Sequence, residues 1–428
     1  MIFIITRTIL RSNLRLLDCI IRPKELIDKA IELGLAGIAV TDHESLGAHV
    51  ELDKLQDKYR DTNSDFKIVR GNEIYLTDTR DTGQQYYHHI LIALDSLGHK
   101  MLRELSSTAW MNSYYDRGME RVPTLKNEVE DVVRRYGQGH IYASTACLGS
   151  ELDKAILELH EAEMLGNITG EKQAHDKIVT FLEWCINTYG EGNFSLEVQP
   201  AQSEDQIIVN KRMSSIAKAF GLPICITCDS HYLRKEDRYI HKAFLNSKEG
   251  EREVDSFYEY AYLQSEEEIR RNLEGTDLNY EELCANSMKI WDRCEYYTLK
   301  RKQHVPQVAV PDFPKEAVDS HVYDTKKYPT LNKLSHSDNS QERYWINYCS
   351  QELKKRNLYN DTYLSRLEEE ADIQAVIGEK LETCMFAYPI FLQHYINLFW
   401  ECGSTVGAGR GSACSGLNHW LLGVTQLD

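Results

Sequence analysis

Basic charge, proline and long apolar runs are all scarce in this sequence. The 428 residues include 49 Lys and Arg against 66 Asp and Glu, a formal net charge of -17, and 9 prolines. This balance excludes a general nucleic-acid coat, so any contact with DNA must come from a local basic patch. The longest apolar run, Ile390 to Trp400, is interrupted by polar residues and falls short of the roughly 20 residues that cross a membrane. Membrane insertion is therefore excluded.

An export signal and a disulfide framework are also missing. The apolar stretch Met1 to Ile5 is followed by arginines, and no small-residue cleavage site follows it. The eleven cysteines are odd in number and have no repeating spacing. Such usage is typical of reduced thiols, so we expect a cytoplasmic protein without disulfides.

The first 300 residues alternate β-branched runs with helical segments. This alternation is typical of parallel strands joined by crossover helices. One helix is predicted to begin at Pro23 and to end at Gly34. The pattern predicts an α/β fold, either a barrel or a doubly wound sheet. The predicted strands are 36–41, 67–70, 90–94, 140–144, 194–199 and 223–228.

The composition of the sequence changes between Lys300 and Pro314, where three prolines lie close together. Proline clusters of this kind mark domain boundaries. We predict a first domain at 1–300, a linker at 301–314 and a second domain at 315–428. The second domain includes a charged, strongly helical segment from Glu342 to about Leu381.

Polar side chains lie at or near the ends of the predicted strands. Ligands of α/β proteins bind at the carboxyl ends of parallel strands, so these residues are candidates for one site. Imidazole, carboxylate and thiolate together suit zinc, manganese or iron and could serve phosphoester hydrolysis. The candidates from strand ends are Asp42, His43, Glu73, His88, His89, Cys147, Asp229 and His231.

Taken singly, each candidate has a plainer interpretation. One histidine near a strand end is more often a hydrogen-bonded core or surface residue than a ligand, and Cys147 alone would be a small buried hydrophobe. Cys225 and Cys228 have no second pair at zinc-finger spacing and are predicted to be structural. The collective pattern at the strand ends favours a metal site.

These segments resemble successive motifs of the PHP (polymerase and histidinol phosphatase) domain. Leu17-Asp18 is similar to the family's early aspartate ligand. Further on, Val406 to Ala413 and Leu421 to Asp428 are similar to the start of the palm in C-family replicative DNA polymerases of bacteria and phages. The segments that carry the PHP resemblance are Thr41-Asp42-His43, Gly71-Asn72-Glu73, His89-Ile90-Leu91, Thr145-Ala146-Cys147-Leu148-Gly149 and Asp229-Ser230-His231-Tyr232.

The resemblance implies a distorted seven-stranded β/α barrel with up to nine ligands for a trinuclear metal site, followed by the mostly helical beginning of a palm. The family opens with a His-x-His pair, but Thr6-Arg7-Thr8 stands where that pair is expected. Threonine hydroxyls are poor ligands for zinc, manganese or iron, so we expect at least one metal ion to be weakened or lost. The ligands implied by the resemblance are Asp18, His43, Glu73, His89, Cys147, Asp229 and His231.

Two explanations of the missing pair stay open. Back-translation of Phe3 to Leu10, read two bases further on, can give His-Asn-His, which is the missing motif. A frameshift in the gene or its reading would explain this, and so would a true loss of the two histidines.

The glycine-rich turn Gly409-Arg410-Gly411-Ser412 is implied to bind the triphosphate of an incoming nucleotide. Backbone N–H groups and an arginine make a suitable anion cradle. Nucleotidyl transfer also needs paired carboxylates that hold magnesium, and the family's catalytic aspartates are expected beyond Asp428. We therefore expect DNA synthesis only if a second polypeptide supplies the remainder.

Three functions are open at this point. The first is the leading part of a replicative DNA polymerase, whose partners would be primer-template DNA, deoxynucleoside triphosphates, a sliding clamp and other replisome subunits. The second is a free-standing metal-dependent phosphoesterase or 3'-5' exonuclease. The third is a non-catalytic structural product whose metal site is vestigial.

Overall fold

The computed structural model of the chain describes residues 3–6, 19–62, 65–81, 83–116, 119–246, 256–302, 304–311 and 323–427, and for 3–6, Met119, Ser256 and Phe257 the backbone alone. It divides into two compact units, Met1–Leu299 and Lys300–Asp428. Each unit has its own hydrophobic core. In the part of the chain that is described, no helix is long and apolar enough to cross a membrane.

The described residues of the first unit form ten strands and ten α-helices. The strands are β1 (Phe3–Thr6), β2 (Gly37–Val40), β3 (Lys67–Thr77), β4 (Tyr87–Ala93), β5 (Tyr114–Asp116), β6 (Met119–Arg121), β7 (Pro123–Leu125), β8 (Ile141–Ser144), β9 (Phe194–Val198) and β10 (Ile224–Ile226). The helices are α1 (Pro23–Glu32), α2 (His49–Arg60), α3 (Ser96–Met111), α4 (Lys126–Tyr136), α5 (Glu151–Met164), α6 (Ile168–Tyr189), α7 (Glu204–Phe220), α8 (Arg238–Leu245), α9 (Glu266–Asn272) and α10 (Tyr280–Arg293).

Seven strands form one curled half-barrel sheet in the order β1-β2-β3-β4-β8-β9-β10, and β7 pairs with β3 at the side. The pairs of β4 with β3 and β8 are antiparallel, and the other pairs of this sheet are parallel. Helix α10 packs against both edge strands, β1 and β10. Its Asn286 donates a hydrogen bond to the Ile224 carbonyl at 3.0 Å, and its Trp291 donates one to the Ala36 carbonyl at 2.9 Å. The helix therefore spans the gap between the two edges.

The two faces of the sheet bury different sets of side chains. Because successive strand residues point to opposite faces, Leu91 packs outward against the helices while Ile90 and Ile92 point inward. The inner apolar cluster also includes Ala39 and Tyr142. The interior thus has an apolar floor, and the polar residues described below lie closer to the strand ends.

The predicted α/β fold is confirmed, and its six predicted strands are all present with ends shifted by up to three residues, apart from the longer β3. Strand β3 continues to Thr77 instead of ending at Arg70, so Glu73 lies within it. Strand β4 begins at Tyr87, so both histidines of the His88-His89 pair lie inside a strand. Extended hydrogen bonding between β3 and β4 accounts for both differences.

The described part of the second unit is helical and contains no strand. The predicted single helical segment is two helices, because Asn357 adopts φ 57° and Asn360 caps a new helix through its side chain. Trp345, Leu367 and Phe386 lie in the core of this unit. Its helices are α11 (Pro329–Ser335), α12 (Ser340–Lys355), α13 (Asp361–Leu381), α14 (Ala387–Glu401) and α15 (Leu417–Leu421).

Candidate functional site

His43 and Glu73 meet where β2 ends beside β3. After the end of β2 the chain continues to His43, which forms a parallel β-bridge with Glu73. The Glu73 carboxylate is buried, and its Oε1 lies 3.7 Å from His43 Nδ1. Tyr75 stacks on the His43 imidazole with ring centroids 5.2 Å apart, which limits the orientations of that ring.

His88 completes a compact group with these two residues. It lies opposite Tyr75 in the antiparallel ladder, so its side chain enters the same face of the sheet. His88 Nδ1 lies 2.8 Å from Glu73 Oε1. Ligand atoms of His43, Glu73 and His88, hereafter the three-residue cluster, all lie within 4.8 Å of one another. Within the described residues, this cluster is the group of three or more potential metal ligands whose ligand atoms lie that close together.

His89 lies on the opposite face and away from the cluster. Its Nε2 lies 2.9 Å from the Tyr189 hydroxyl, and its ring packs against Phe181, Trp184 and Phe194. Burial lowers the pKa of His89 to about 3, so the imidazole is neutral in this core. The structure thus places His88, and not the predicted His89, in the three-residue cluster, since neighbouring strand residues point to opposite faces.

Cys147 approaches the cluster from the loop that follows β8. Its sulfur lies 3.1 Å from His88 Nδ1 and 4.0 Å from Glu73 Oε1. Gly149 allows this approach, because a Cβ there would lie 2.6 Å from His88 Nδ1. The thiol is buried. Cys147 is therefore placed where the sequence pattern expects it.

Asp229 and His231 follow β10 on the far side of the interior. Asp229 lines a narrow cavity together with Glu73 and Cys147. His231 Nδ1 lies 2.7 Å from the backbone carbonyl of Asp229 and is buried beside His241. Asp229 is thus brought to the cavity, and His231 lies next to Asp229 outside the three-residue cluster.

Glu197, on β9, is a residue that the sequence pattern missed. It lines the same cavity, and its carboxylate accepts hydrogen bonds from Thr227 Oγ1 at 2.6 Å and Ser144 Oγ at 2.9 Å. Burial raises the pKa of Glu197 to about 7. A glutamate within the short strand β9 is the signal that could have identified it, because charged residues are rare inside buried strands.

Strained backbone is concentrated at the same strand ends. Three non-glycine residues here have positive φ: Glu44 at 41°, Ala146 at 76° and Asp229 at 41°. Each is a candidate ligand or a direct neighbour of one. Such conformations cost about 1–3 kcal/mol each and are common at functional sites. The surrounding hydrogen bonds hold them, as when Glu44 Oε1 accepts from the Tyr75 N–H at 3.0 Å.

The donor set fits a divalent metal ion. Three carboxylates, those of Glu73, Glu197 and Asp229, converge on one buried cavity, and no Lys or Arg is among the described residues that line it. A buried carboxylate either takes up a proton, as the raised pKa of Glu197 allows, or pairs with a cation. The imidazoles and the Cys147 thiol beside them add nitrogen and sulfur ligands of the kind that zinc, manganese and iron accept.

Some predicted residues lie outside this geometry. Asp18 and Thr8 fall outside the described residues, and Thr6 is described only as backbone of β1, paired with Val40. The predicted nucleotide-binding turn, Gly409 to Ser412, lies in the second unit and is exposed. The Arg410 guanidinium has no hydrogen bond or ion pair within the part of the chain that is described.

Comparison with known proteins gives a consistent result. The PHP domain family matches residues 9–201. The DNA-directed DNA polymerase of Bacillus phage SPbeta is 39% identical over 98% of this chain and 34% of its own length. The DNA polymerase III subunit alpha of Borreliella burgdorferi is 24% identical over 97% of this chain and 32% of its own length. A solved amidohydrolase from Chromobacterium violaceum covers 54% of this chain with a TM-score of 0.32 and 13% identity, too low to bear on function.

Residues 9–201, which lie within the first compact unit and include the three-residue cluster, are thus similar to the PHP domain family. More particularly, the chain is homologous to the N-terminal part of DNA polymerase III alpha subunits and of the related phage DNA polymerase. The chain spans about a third of the length of the curated relatives it matches.

Proposed function

We propose that the chain works as the N-terminal part of a replicative DNA polymerase of the alpha-subunit type, with a metal centre in its barrel. The observation that carries the proposal is similarity to DNA polymerases over 98% of the chain, across both compact units. In the complete enzyme the partners are primer-template DNA, deoxynucleoside triphosphates, a sliding clamp and other replisome subunits. The reduced state of the eleven cysteines supports action in the cytoplasm.

The proposed ligands of the metal centre begin with the three-residue cluster and Cys147. Asp229 and His231 extend it on the far side, and Asp18 belongs to the same proposed set. Zinc, manganese or iron suits these donors. A divalent ion bound there supplies Lewis acidity toward a phosphoester.

The protein's own groups set the conditions at this centre. His88 Nδ1 lies 2.8 Å from Glu73 Oε1 and 3.1 Å from Cys147 Sγ, so this nitrogen faces two of the other proposed ligands. A metal ion held by the three residues would take the Nδ1 lone pair, with the remaining ring N–H on Nε2. Burial of Glu73 and Cys147 excludes water from the floor of the site, where electrostatic interactions are therefore stronger.

The Gly409 to Ser412 turn is the proposed contact with the nucleotide triphosphate. Its exposure and the unpaired Arg410 guanidinium support this role. An arginine matches phosphate geometry with two parallel hydrogen bonds. Magnesium would be needed for polymerisation in the complete enzyme.

A further polypeptide that carries the rest of the polymerase is a proposed partner of the second unit. Several large apolar side chains of α13 and α14 are exposed there, which is typical of surfaces that another protein segment covers. The exposed set is Ile373, Val376, Ile377, Tyr388, Tyr395, Leu398, Phe399 and Trp400.

Two other functions remain candidates. The convergence of His43, Glu73 and His88 favours a free-standing PHP phosphoesterase or 3'-5' exonuclease. Thr6 and Thr8 at the expected His-x-His positions favour a non-catalytic scaffold with a vestigial site. Metal content separates these two candidates.

The deciding experiment is metal analysis of the purified chain with phosphodiesterase and single-strand exonuclease assays. Two variants form a matched pair: His88→Ala removes a proposed ligand, and His89→Leu changes the neighbouring core residue. We expect His88→Ala to lower metal content by at least half and His89→Leu to keep it. Equal metal loss in both variants would contradict the assignment of His88.

A third variant carries Thr6→His and Thr8→His. If it gains metal and hydrolytic activity that the natural chain lacks, the barrel holds a damaged PHP site. Stoichiometric metal and hydrolysis in the natural chain would instead favour the phosphoesterase.

A further inference from the structure

The Gly409 to Ser412 turn has a hydrogen bond at each end. At its start, the Gln426 N–H donates to the Ala408 carbonyl at 2.8 Å. At its end, Ser415 Oγ donates to the Ser412 carbonyl at 2.7 Å. The chain then enters α15, whose first residues are held by a side chain from another helix.

That side chain is Glu370 of α13, 47 residues earlier in the sequence. Its Oε1 accepts from the Leu417 N–H at 2.8 Å, and its Oε2 accepts from the Asn418 N–H at 2.9 Å and from Asn418 Nδ2 at 2.7 Å. The carboxylate is 8% exposed. Hydrogen bonds to a charged acceptor are about twice as strong as neutral ones, so this is a firm anchor.

Arg366 lies one turn earlier on α13 and neutralises the negative charge of the Glu370 carboxylate. Its Nε donates to Glu370 Oε1 at 2.9 Å, and its NH2 approaches the Ser415 carbonyl at 3.4 Å. A bare carboxylate close to a phosphate-binding turn would repel the phosphate. The ion pair with Arg366 removes most of that repulsion.

We propose that Glu370, supported by Arg366, is a positioning residue for the anion-binding turn, and that its target is the triphosphate group of a nucleotide. The inference rests on the nucleotide-binding role proposed above. Glu370 does not touch the nucleotide itself. It fixes the C-terminal side of the turn, so that the backbone N–H groups and Arg410 face the triphosphate without further ordering.

The test measures the binding of dATP with magnesium to the full chain by titration calorimetry. Glu370→Gln keeps the size of the side chain but places an amide N–H against donors. Glu369→Gln is the matched control, because Glu369 is an exposed neighbour that also pairs with Arg366. Arg410→Ala reports on the proposed phosphate contact itself.

Hydrogen exchange at the Leu417 and Asn418 amides gives a second readout that does not need nucleotide. For Glu370→Gln we expect exchange at these amides to be about tenfold faster and the Kd for dATP to rise about threefold to tenfold. Glu369→Gln should change neither. Glu370→Asp, which keeps the charge but is one methylene shorter, should show smaller changes, and it serves as the test if Glu370→Gln fails to fold.

The outcomes separate the two proposals. If Glu370→Gln speeds amide exchange but leaves the dATP affinity unchanged, the positioning role is overturned. Unchanged amide exchange in this variant also overturns it. If the natural chain binds no dATP while exchange still responds to Glu370→Gln, the nucleotide-binding role fails and the anchor on the turn stands.

Discussion

Two buried histidines of the first unit lie in contact with each other, apart from the candidate metal site. His49 and His99 form a pair in the first unit, with His49 Nδ1 3.0 Å from His99 Nε2. His49 Nε2 lies 3.0 Å from the Gly71 carbonyl and must donate to it. Nδ1 of His49 is therefore the acceptor, and a proton there would face the N–H of His99. Burial, His99 and Arg70 lower the pKa of His49 to about 3.

This pair predicts loss of stability in acid. Below about pH 6.5 the unfolded chain protonates His49 and the folded chain does not, so the free energy of unfolding falls as the pH falls toward 3. Between pH 6.5 and 5 this amounts to about 2 kcal/mol. His49→Gln keeps a donor for Gly71 and should remove that part of the pH dependence. Urea unfolding with a chelator present, at several pH values, measures the difference, and parallel curves for both proteins would contradict it.

At the residue scale, sequence reasoning predicted several residues that the structure brings together, and which of two adjacent histidines joins them depends on one residue of register. Strand ends predicted Glu73, Cys147 and Asp229 as neighbours, and these three line one cavity. The choice between His88 and His89 depends on which face of β4 is internal. That face is fixed by pairing with β3, a strand whose true length the β-branched pattern did not reveal.

Among the helices and strands, α3 illustrates how closely elements of the barrel approach. Gly98 lies in its first turn, and a Cβ at this position would lie 1.9 Å from the His140 carbonyl oxygen. That oxygen also accepts from the Leu94 N–H at 3.0 Å, so it cannot move freely. The helix, the end of β4 and the start of β8 are locked together here.

We expect Gly98→Ala to destabilise the protein by about 2 kcal/mol or more, because the added methyl group forces α3 away from the sheet. At an ordinary helical site a change from Gly to Ala raises the free energy of unfolding by up to about 1 kcal/mol. The sign of the change in this free energy therefore tests the close approach. Ser107→Ala on the exposed side of α3 is the control and should stay within about 0.5 kcal/mol. Chemical denaturation measures both, and a stabilised Gly98→Ala would refute the close approach.

The elements themselves were largely predictable from periodicity. Helix α1 begins at Pro23 as expected, and Gly34 follows its end with φ 71°. The break between α12 and α13 was not foreseen, although Asn357 and Asn360, which favour turns and caps, lie at it. The left-handed Asn357 and the Asn360 cap determine it, and such local hydrogen bonding is weakly encoded in a hydrophobic pattern.

For the whole molecule, the exposed apolar side chains of the second unit predict association. Tyr395, Leu398 and Trp400 of α14 are each about half exposed. Apolar surface of this kind favours contact between copies when no partner covers it. We expect the sedimentation coefficient to rise with protein concentration in the micromolar range.

The double variant Tyr395→Gln and Leu398→Gln should weaken this concentration dependence without lowering Tm. Tyr115→Ser, a change to an isolated exposed aromatic on β5, is the control and should have no effect. Equal association by both variants would place the contact elsewhere on the protein.

Helix α10 has a consequence for biosynthesis. It joins the strand nearest the N-terminus to the strand near residue 225, and it is itself centred near residue 287. These contacts have a very high sequence separation, and such contacts form late and slowly in folding. The N-terminal strand therefore leaves the ribosome long before its final neighbour has been made. Its open edge must be protected from pairing with other chains until translation has passed α10.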